Sequence, residues 1–281
     1  MAATPRWGLA VTYFWLAVLG LTFCFPFLWT LSSSLKTGPE TQLVPATLLP
    51  AVPQWGNYAT VWTTQPVARW ILNSLIVIGL AVPGAVLSGV IVAYSFARFD
   101  YPGRGFLFML VMSTLMLPYE VTLIPQYLLF YQLKMVDTFA PLTVPSWFGG
   151  SAFTIFLLRQ FFMTIPRDLD DAARVDGASS LRILWSILVP LSRPALATVL
   201  ILQFLQHWND FLGPFIYLNN KNLFTMSLGL RYFQTVPEQL GEPKDHLLMV
   251  ATIIMTLPAI ALFFAAQRYF VRGIVMTGLK M

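Results

Sequence analysis

The sequence predicts an all-α integral membrane protein with six transmembrane helices, and three observations carry that prediction. Of its 281 residues, 57% are hydrophobic and only 10% charged, with a mean hydropathy of +0.69; a soluble domain mixes roughly 45–50% apolar with about 25% charged residues. The apolar residues gather into six runs, each near the ~20 residues a helix needs to cross about 30 Å of hydrocarbon. None of the runs alternates with period 2, so helices rather than barrel strands must satisfy their backbone groups. Short connections leave no room for a sizeable soluble domain, and 1–281 reads as one membrane domain.

Taken in order, the first run, 8–31, follows Arg6. It is too long for the apolar core of a cleaved signal and lacks a clean small-residue cleavage site, so it is read as a retained span. Cys24, the only cysteine, lies inside it, which leaves no disulfide framework and no thiolate metal site. The second run is 70–96. Its Gly79, Gly84 and Gly89, with Gly8 and Gly20 of the first, read as close-packing points between helices.

The third run, 106–127, holds Glu120 about 21 Å along its length from Phe106. A carboxylate at that depth needs a proton or a partner. Pro118 and Pro125 flank it and loosen the helix, so Glu120 reads as a polar gate or pathway position. The fourth run is 139–159. The fifth, 194–217, carries Gln203, Gln206, His207 and Asp210 at i, i+3, i+4 and i+7 on a helix otherwise made of Leu, Ile, Val and Phe. Such polar groups are costly in lipid and face a bundle interior or a water-filled path, or else they join helices by hydrogen bonds. With Trp208 and Asn209 they form a candidate substrate pathway, in which amides and carboxylates meet hydroxyl groups and an aromatic ring meets an apolar face. His207 taken by itself reads more readily as a packing residue than as a ligand. The sixth run is 247–270.

Alternating spans place Arg6, Arg98, Arg104, Arg159, Arg167, Arg174, Arg182, Arg193, Arg268, Arg272 and Lys280 on one side of the membrane. Lys36, Arg69, Lys134, Lys221, Arg231 and Lys244 fall on the other. The positive-inside rule then puts both termini in the cytoplasm. External loops fall near 32–69 and 218–246, with a short third connection at 128–138. Basic residues scattered among apolar runs exclude a nucleic-acid surface and suit membrane lipid.

The segment 166–192 is a charged island on the cytoplasmic side. Pro166 suits a first helical turn, Asp168, Asp170 and Asp171 favour its positive end, and Gly177 is placed to end it. Ser179 or Ser180 then caps a second short helix that carries Leu181, Leu184, Leu188 and Val189 toward Pro190. Leu169, Ala172, Ala173 and Asp176 share one face of the first helix. Physics leaves two readings open: an amphipathic loop lying on lipid headgroups, or a small-residue face that lets another protein's backbone come close.

The residues Asp171-Ala172-Ala173-x-x-Asp176-Gly177-Ala178, with nine residues between Gly177 and Ile187 of Ile187-x-Val189-Pro190, resemble the E-A-A-x-x-D-G-A…I-x-L-P signature of bacterial ABC importer permeases. Asp171 stands for the usual Glu and Val189 for Leu. Asn73-Ser74, Tyr94-x-x-Ala97-Arg98-Phe99, Trp208-Asn209-Asp210-Phe211-Leu212-x-Pro214 and the ending Gly273-Ile274-x-x-Thr277-Gly278-Leu279-Lys280 are similar to the smaller permease of maltose-permease-type carbohydrate importers. The resemblance implies a type I ABC importer permease fold in which 166–192 is a cytoplasmic coupling segment. Asp171, Ala172, Ala173, Asp176, Gly177, Ile187 and Pro190 would be its ATPase-coupling residues, and the tail from Arg268 a further contact. Implied partners are a second homologous permease, an ATPase dimer that binds the ATP and Mg, an extracytoplasmic solute-binding protein and a sugar.

The sequence contains no G-x-x-x-x-G-K-[S/T], no H-E-x-x-H and no Cys/His cluster, so no catalytic residue, cofactor or metal site is expected in this chain. A secondary transporter would instead carry inverted repeats, broken helices and a coupling-ion site, and a membrane enzyme a convergent acid, base or metal site. Few basic residues in the membrane interior favour a neutral sugar, although related permeases carry glycerol phosphates.

Overall fold

The computed structural model describes the backbone of residues 6–235 and 244–278 and the side chains of 8–231, 233 and 244–267. Everything regular within the described residues is helical. Two compact units are formed, one from 1–68 with 229–258 and the other from 69–228 with 259–281.

In the first unit, α1 (Arg6–Ser34) exposes most of its apolar side chains from Leu9 to Leu31. Thr12, Thr22 and Thr30 donate their hydroxyls to carbonyls one turn back, which conceals polar groups in the helix itself. The chain after α1 is knotted onto its end. Lys36 is buried, lies 4.8 Å over the Trp29 ring and donates to the Thr47 carbonyl. The short α2 (Gly38–Thr41) starts with a Thr37–Glu40 capping box. From α3 (Asn57–Thr64), Asn57 donates to the carbonyls of Ser34 and Lys36 at 2.8 and 2.9 Å.

In the second unit, the 32-residue α4 (Val67–Arg98) runs through Pro83 unbroken. The predicted third span is not one straight helix. It consists of α5 (Arg104–Ser113), a 3-10 turn at Thr114–Met116 and α6 (Tyr119–Gln132), bent by 99°. Pro118 pushes Leu117 into extended backbone and starts the new helix itself. The predicted fourth span is α7 (Ala140–Thr143), a 3-10 turn at Val144–Trp147, and α8 (Ala152–Thr164). Ser151 caps α8 by accepting from the Thr154 N–H at 3.1 Å.

The charged island folds as α9 (Asp168–Val175), α10 (Ser180–Ile183), a π turn at Leu184–Leu188 and α11 (Val189–Leu191). An 82° bend leads into α12 (Arg193–Asn209). The predicted fifth span ends there, because the helix breaks at Asp210 and resumes as α13 (Leu212–Tyr217). Then come α14 (Met226–Thr235) and α15 (Asp245–Gly278).

Four stretches, Gly8–Ser34, Val67–Arg98, Ala140–Thr164 and Asp245–Gln267, are long and apolar enough to cross a membrane, and the two bent pairs raise the number to as many as six. The protein is an all-α, multi-pass membrane protein. Of the five glycines read as packing points, two sit in tight contacts: a Cβ on Gly84 would stand 2.6 Å from the Trp147 ring, and one on Gly89 2.7 Å from Thr154 Cγ2. Gly8, Gly20 and Gly79 have nothing within 4 Å among the described residues.

Candidate functional site

The island is built on a buried cluster. Val90, Tyr94 and Ala97 of α4, Leu158 and Phe162 of α8, Ile183, Leu184 and Leu188, and Ala195 and Val199 of α12 pack together. Over this base α9 is closed by a Schellman turn: Gly177 takes φ +79°, its N–H donates to the Arg174 carbonyl at 3.0 Å, and the Ala178 N–H donates to that of Ala173 at 2.9 Å. Ala173 and Ala178 both pack on the buried cluster, which fixes the turn against it. Ser179 accepts from the Arg182 N–H at 3.4 Å and opens α10.

The residues that the sequence resemblance marks for coupling divide between two faces. Asp171, Ala172, Asp176 and Gly177 are exposed, Ala173 is half-buried toward the cluster, and Ile187 and Pro190 are half-buried. Outward on α9 and beside it stand Leu169, Val175 and Leu181, with Val175 88% exposed. Asp171 lies 3.7 Å from Arg174 in the open. Pro190 lacks an N–H and its ring would crowd the carbonyl four residues back. The π turn before it gives the widened backbone that this needs, with the Val189 N–H reaching the Leu184 carbonyl.

The inward face of α9 holds what the sequence did not single out as a site. Asp170 Oδ2 lies 2.7 Å from Arg98 Nε, with the two side chains 4% and 3% exposed. Arg98 Nη2 donates to the Ile165 carbonyl at 2.9 Å and the Tyr94 hydroxyl to that of Ser180 at 3.1 Å. Arg167 Nη2 donates to the Ala97 carbonyl at 3.4 Å. The last turn of α4 thus grips the chain on both sides of α9. The signal was present as Tyr94-x-x-Ala97-Arg98, but nothing local pairs Arg98 with Asp170 rather than with Asp168 or Asp171.

The proposed pathway residues are less uniform than their spacing. Gln203 is buried and donates to Thr154 Oγ1 at 3.2 Å and Ser151 Oγ at 3.4 Å, joining α12 to α8. Trp208 is buried and stacked on Phe204 with centroids 5.8 Å apart, so that ring face is taken up within the chain. His207 is half-buried, and Gln206 and Asn209 are exposed; Asn209 donates to the Leu205 carbonyl at 2.9 Å. Asp210 sits at the break, where its Oδ1 accepts from the Gly213 N–H at 3.1 Å and caps α13. Its carbonyl accepts from the Ser227 hydroxyl. Glu120 is exposed in the first turn of α6, at the bend rather than in mid-helix. Among the described residues, no group of three His, Cys, Asp or Glu side chains is placed to hold a metal ion.

At the other end of α4, a second set of contacts fixes residues 219–226. Asn73 Nδ2 donates to the carbonyls of Asn222 and Phe224, both at 2.9 Å, Arg69 Nη1 to Asn222 Oδ1 at 2.9 Å, and Ser74 Oγ accepts from the Met226 N–H at 2.9 Å. Asp137, at φ 62°, accepts from the N–H groups of Asn219 and Asn220 at 2.9 and 2.8 Å. The predicted loop at 218–246 therefore has a firm base; its 236–243 stretch and the side chains from Arg268 onward lie outside the described residues.

Residues 56–276 match the model of the family described as the binding-protein-dependent transport system inner membrane component. The chain is 34% identical over 245 residues to the sn-glycerol-3-phosphate transport system permease protein UgpE of Yersinia enterocolitica, covering 84% of this chain and 85% of that one. It is 32% identical over 275 residues to the arabinooligosaccharides transport system permease protein AraQ of Bacillus subtilis, covering 97% and 95%. Its fold is similar to a chain of a bacterial ABC transporter involved in the import of the acidic polysaccharide alginate, with a TM-score of 0.79, 22% identity and coverage of 96% and 99%.

Proposed function

The chain belongs to the family of binding-protein-dependent transport system inner membrane components, and we propose that it is the permease subunit of an ATP-binding-cassette importer for a sugar or sugar-like solute. In this reading the chain hydrolyses nothing itself. It pairs with a second permease, receives solute from an extracytoplasmic binding protein, and is driven by an ATPase dimer docked on α9. Both termini then face the cytoplasm. The observation that carries the reading is the presentation of α9: exposed Leu169, Ala172 and Val175 on a helix whose inner face is held by a buried ion pair and a Schellman turn. A lipid-surface loop needs no such support, whereas a docking face that bears force does.

Within the pathway, Gln206, Asn209 and Glu120 are assigned to solute contact because they are exposed. Gln203, Trp208 and Asp210 are assigned to holding the helices that carry them, with half-buried His207 between the two groups. The similarity to glycerol-3-phosphate permeases favours a second reading of the solute, a glycerol phosphate. Isothermal titration of the cognate binding protein with sn-glycerol-3-phosphate and with arabinooligosaccharides separates the two.

The coupling assignment is tested by co-purification. Val175→Asp places a charge on the exposed face without touching the interior, and Gly177→Asp alters the closing turn. Both are expected to strip the ATPase from the detergent-purified complex while the partner permease stays bound; full retention of ATPase by both variants would refute the assignment.

A further inference from the structure

Resting on that coupling reading, we propose that α4 is a rigid rod between the coupling helix and the external loop, and that the buried Arg98–Asp170 pair is the joint through which α9 drives it. Arg98 and Asp170 are positioning residues in this scheme. The observations lie at the two ends of one helix. At its C-terminal end the ion pair, the Tyr94–Ser180 and Arg98–Ile165 hydrogen bonds and the Arg167–Ala97 contact enclose α9 from before and behind. At its other end Arg69, Asn73 and Ser74 hold Asn222, Phe224 and Met226. Between the two the helix continues through Pro83 without a break, losing one rung of its ladder at the Gly79 carbonyl, and a 32-residue α-helix is about 48 Å long. Such a helix shifts as a body more readily than it stretches, because its hydrogen-bond ladder resists extension.

Charge makes the joint specific. Asp170 Oδ1 has no hydrogen-bond donor among the described residues, so the buried carboxylate relies on Arg98 for compensation, and a separation of the two would leave a charge unpaired away from water. Sliding α9 against α4 is therefore penalised, and moving both together is not. The outward side chains Leu169, Ala172 and Val175 remain free to receive the push.

The test is hydrogen exchange on the full complex of both permeases and the ATPase in lipid nanodiscs, with and without ATP trapped by vanadate. Two variants are compared with the native chain: the apolar pair Arg98→Met with Asp170→Leu, which keeps volume without charge, and the swap Arg98→Asp with Asp170→Arg. In the native complex, trapping is expected to change exchange by at least about threefold in both 168–176 and 222–228. The apolar pair should keep the response at 168–176 and lose it at 222–228, and the swap should restore it. An undiminished response at 222–228 in the apolar pair overturns the proposal, as does a native complex in which 168–176 responds and 222–228 does not. Failure of the apolar pair to assemble leaves the swap to decide, since a swap that assembles without a response at 222–228, or does not assemble, also overturns it. No response at 168–176 in the native complex would instead count against the coupling reading itself.

Discussion

Arg98 and Asp170 come from separate elements, the end of a long apolar helix and the first turn of a short charged one, and meet at 2.7 Å out of contact with water. Burial makes the pair a requirement more than a gain, because deleting one partner strands the other's charge. Asp170→Ala is expected to lower stability by about 3–5 kcal/mol. Asp171→Ala, which removes an exposed contact to Arg174 at 3.7 Å, should cost less than about 1 kcal/mol. Thermal unfolding of the purified complex ranks the two, and equal shifts would contradict the assignment of Asp170 to the interior.

Asn73 is buried and gives both of its amide hydrogens to backbone carbonyls, those of Asn222 and Phe224. Asn73→Asp has the same shape but at neutral pH offers only acceptors, so it sets a carboxylate against two carbonyls. It should destabilise more than Asn73→Ala, for which the loss of two buried hydrogen bonds is roughly 1–3 kcal/mol. Limited proteolysis within 218–246 reads the effect, with the cut rate ordered Asp above Ala above native. The reverse order would mean that the contacts do not hold the loop.

Gly177 closes α9 in the left-handed region, where a Cβ meets no neighbouring side chain among the described residues but strains the backbone. Gly177→Ala should cost about 1–2 kcal/mol, and Gly177→Asn distinctly less, since Asn tolerates that conformation. Guanidinium-free thermal melts in detergent give the ranking. If coupling depends on the shape of the turn, ATPase retention follows the same order.

Local chemistry made much of this legible and tertiary pairing did not. The acidic start of α9, the Gly177 stop and a serine cap on the next helix follow from signals within a few residues of each other; α9 begins at Asp168, so Pro166 precedes the helix instead of sitting in its first turn, and of the two serines it is Ser179 that caps. The apolar runs located the spans, but a hydropathy window does not register direction. Pro118 is therefore visible as a loosening of the third span and not as a 99° bend. The polar stripe of the fifth span assumed one continuous helix through 217; a break at Asp210 ended the periodicity and turned that residue's carboxylate toward the Gly213 N–H. Arg98 and Asp170 each had a sufficient local explanation, as an orienting cation and a helix-dipole anion, and only the three-dimensional structure pairs them.

The Asp210 break yields the last prediction. Asp210 Oδ1 caps α13 through the Gly213 N–H, and a Cβ on Gly213 would stand 2.5 Å from the other carboxylate oxygen and 3.1 Å from Leu142. Cap and glycine therefore act as one unit. Asp210→Asn keeps an accepting oxygen and should cost little, whereas Asp210→Ala removes the cap at about 1 kcal/mol. Gly213→Ala should cost about 1–3 kcal/mol through overpacking. In Asp210→Ala the shortened side chain clears the site, so the double variant Asp210→Ala with Gly213→Ala should fall well short of the sum of the two singles. A double-mutant cycle on thermal stability measures this. Strict additivity would mean that the carboxylate and Gly213 are not in contact, and the break would then need another cause.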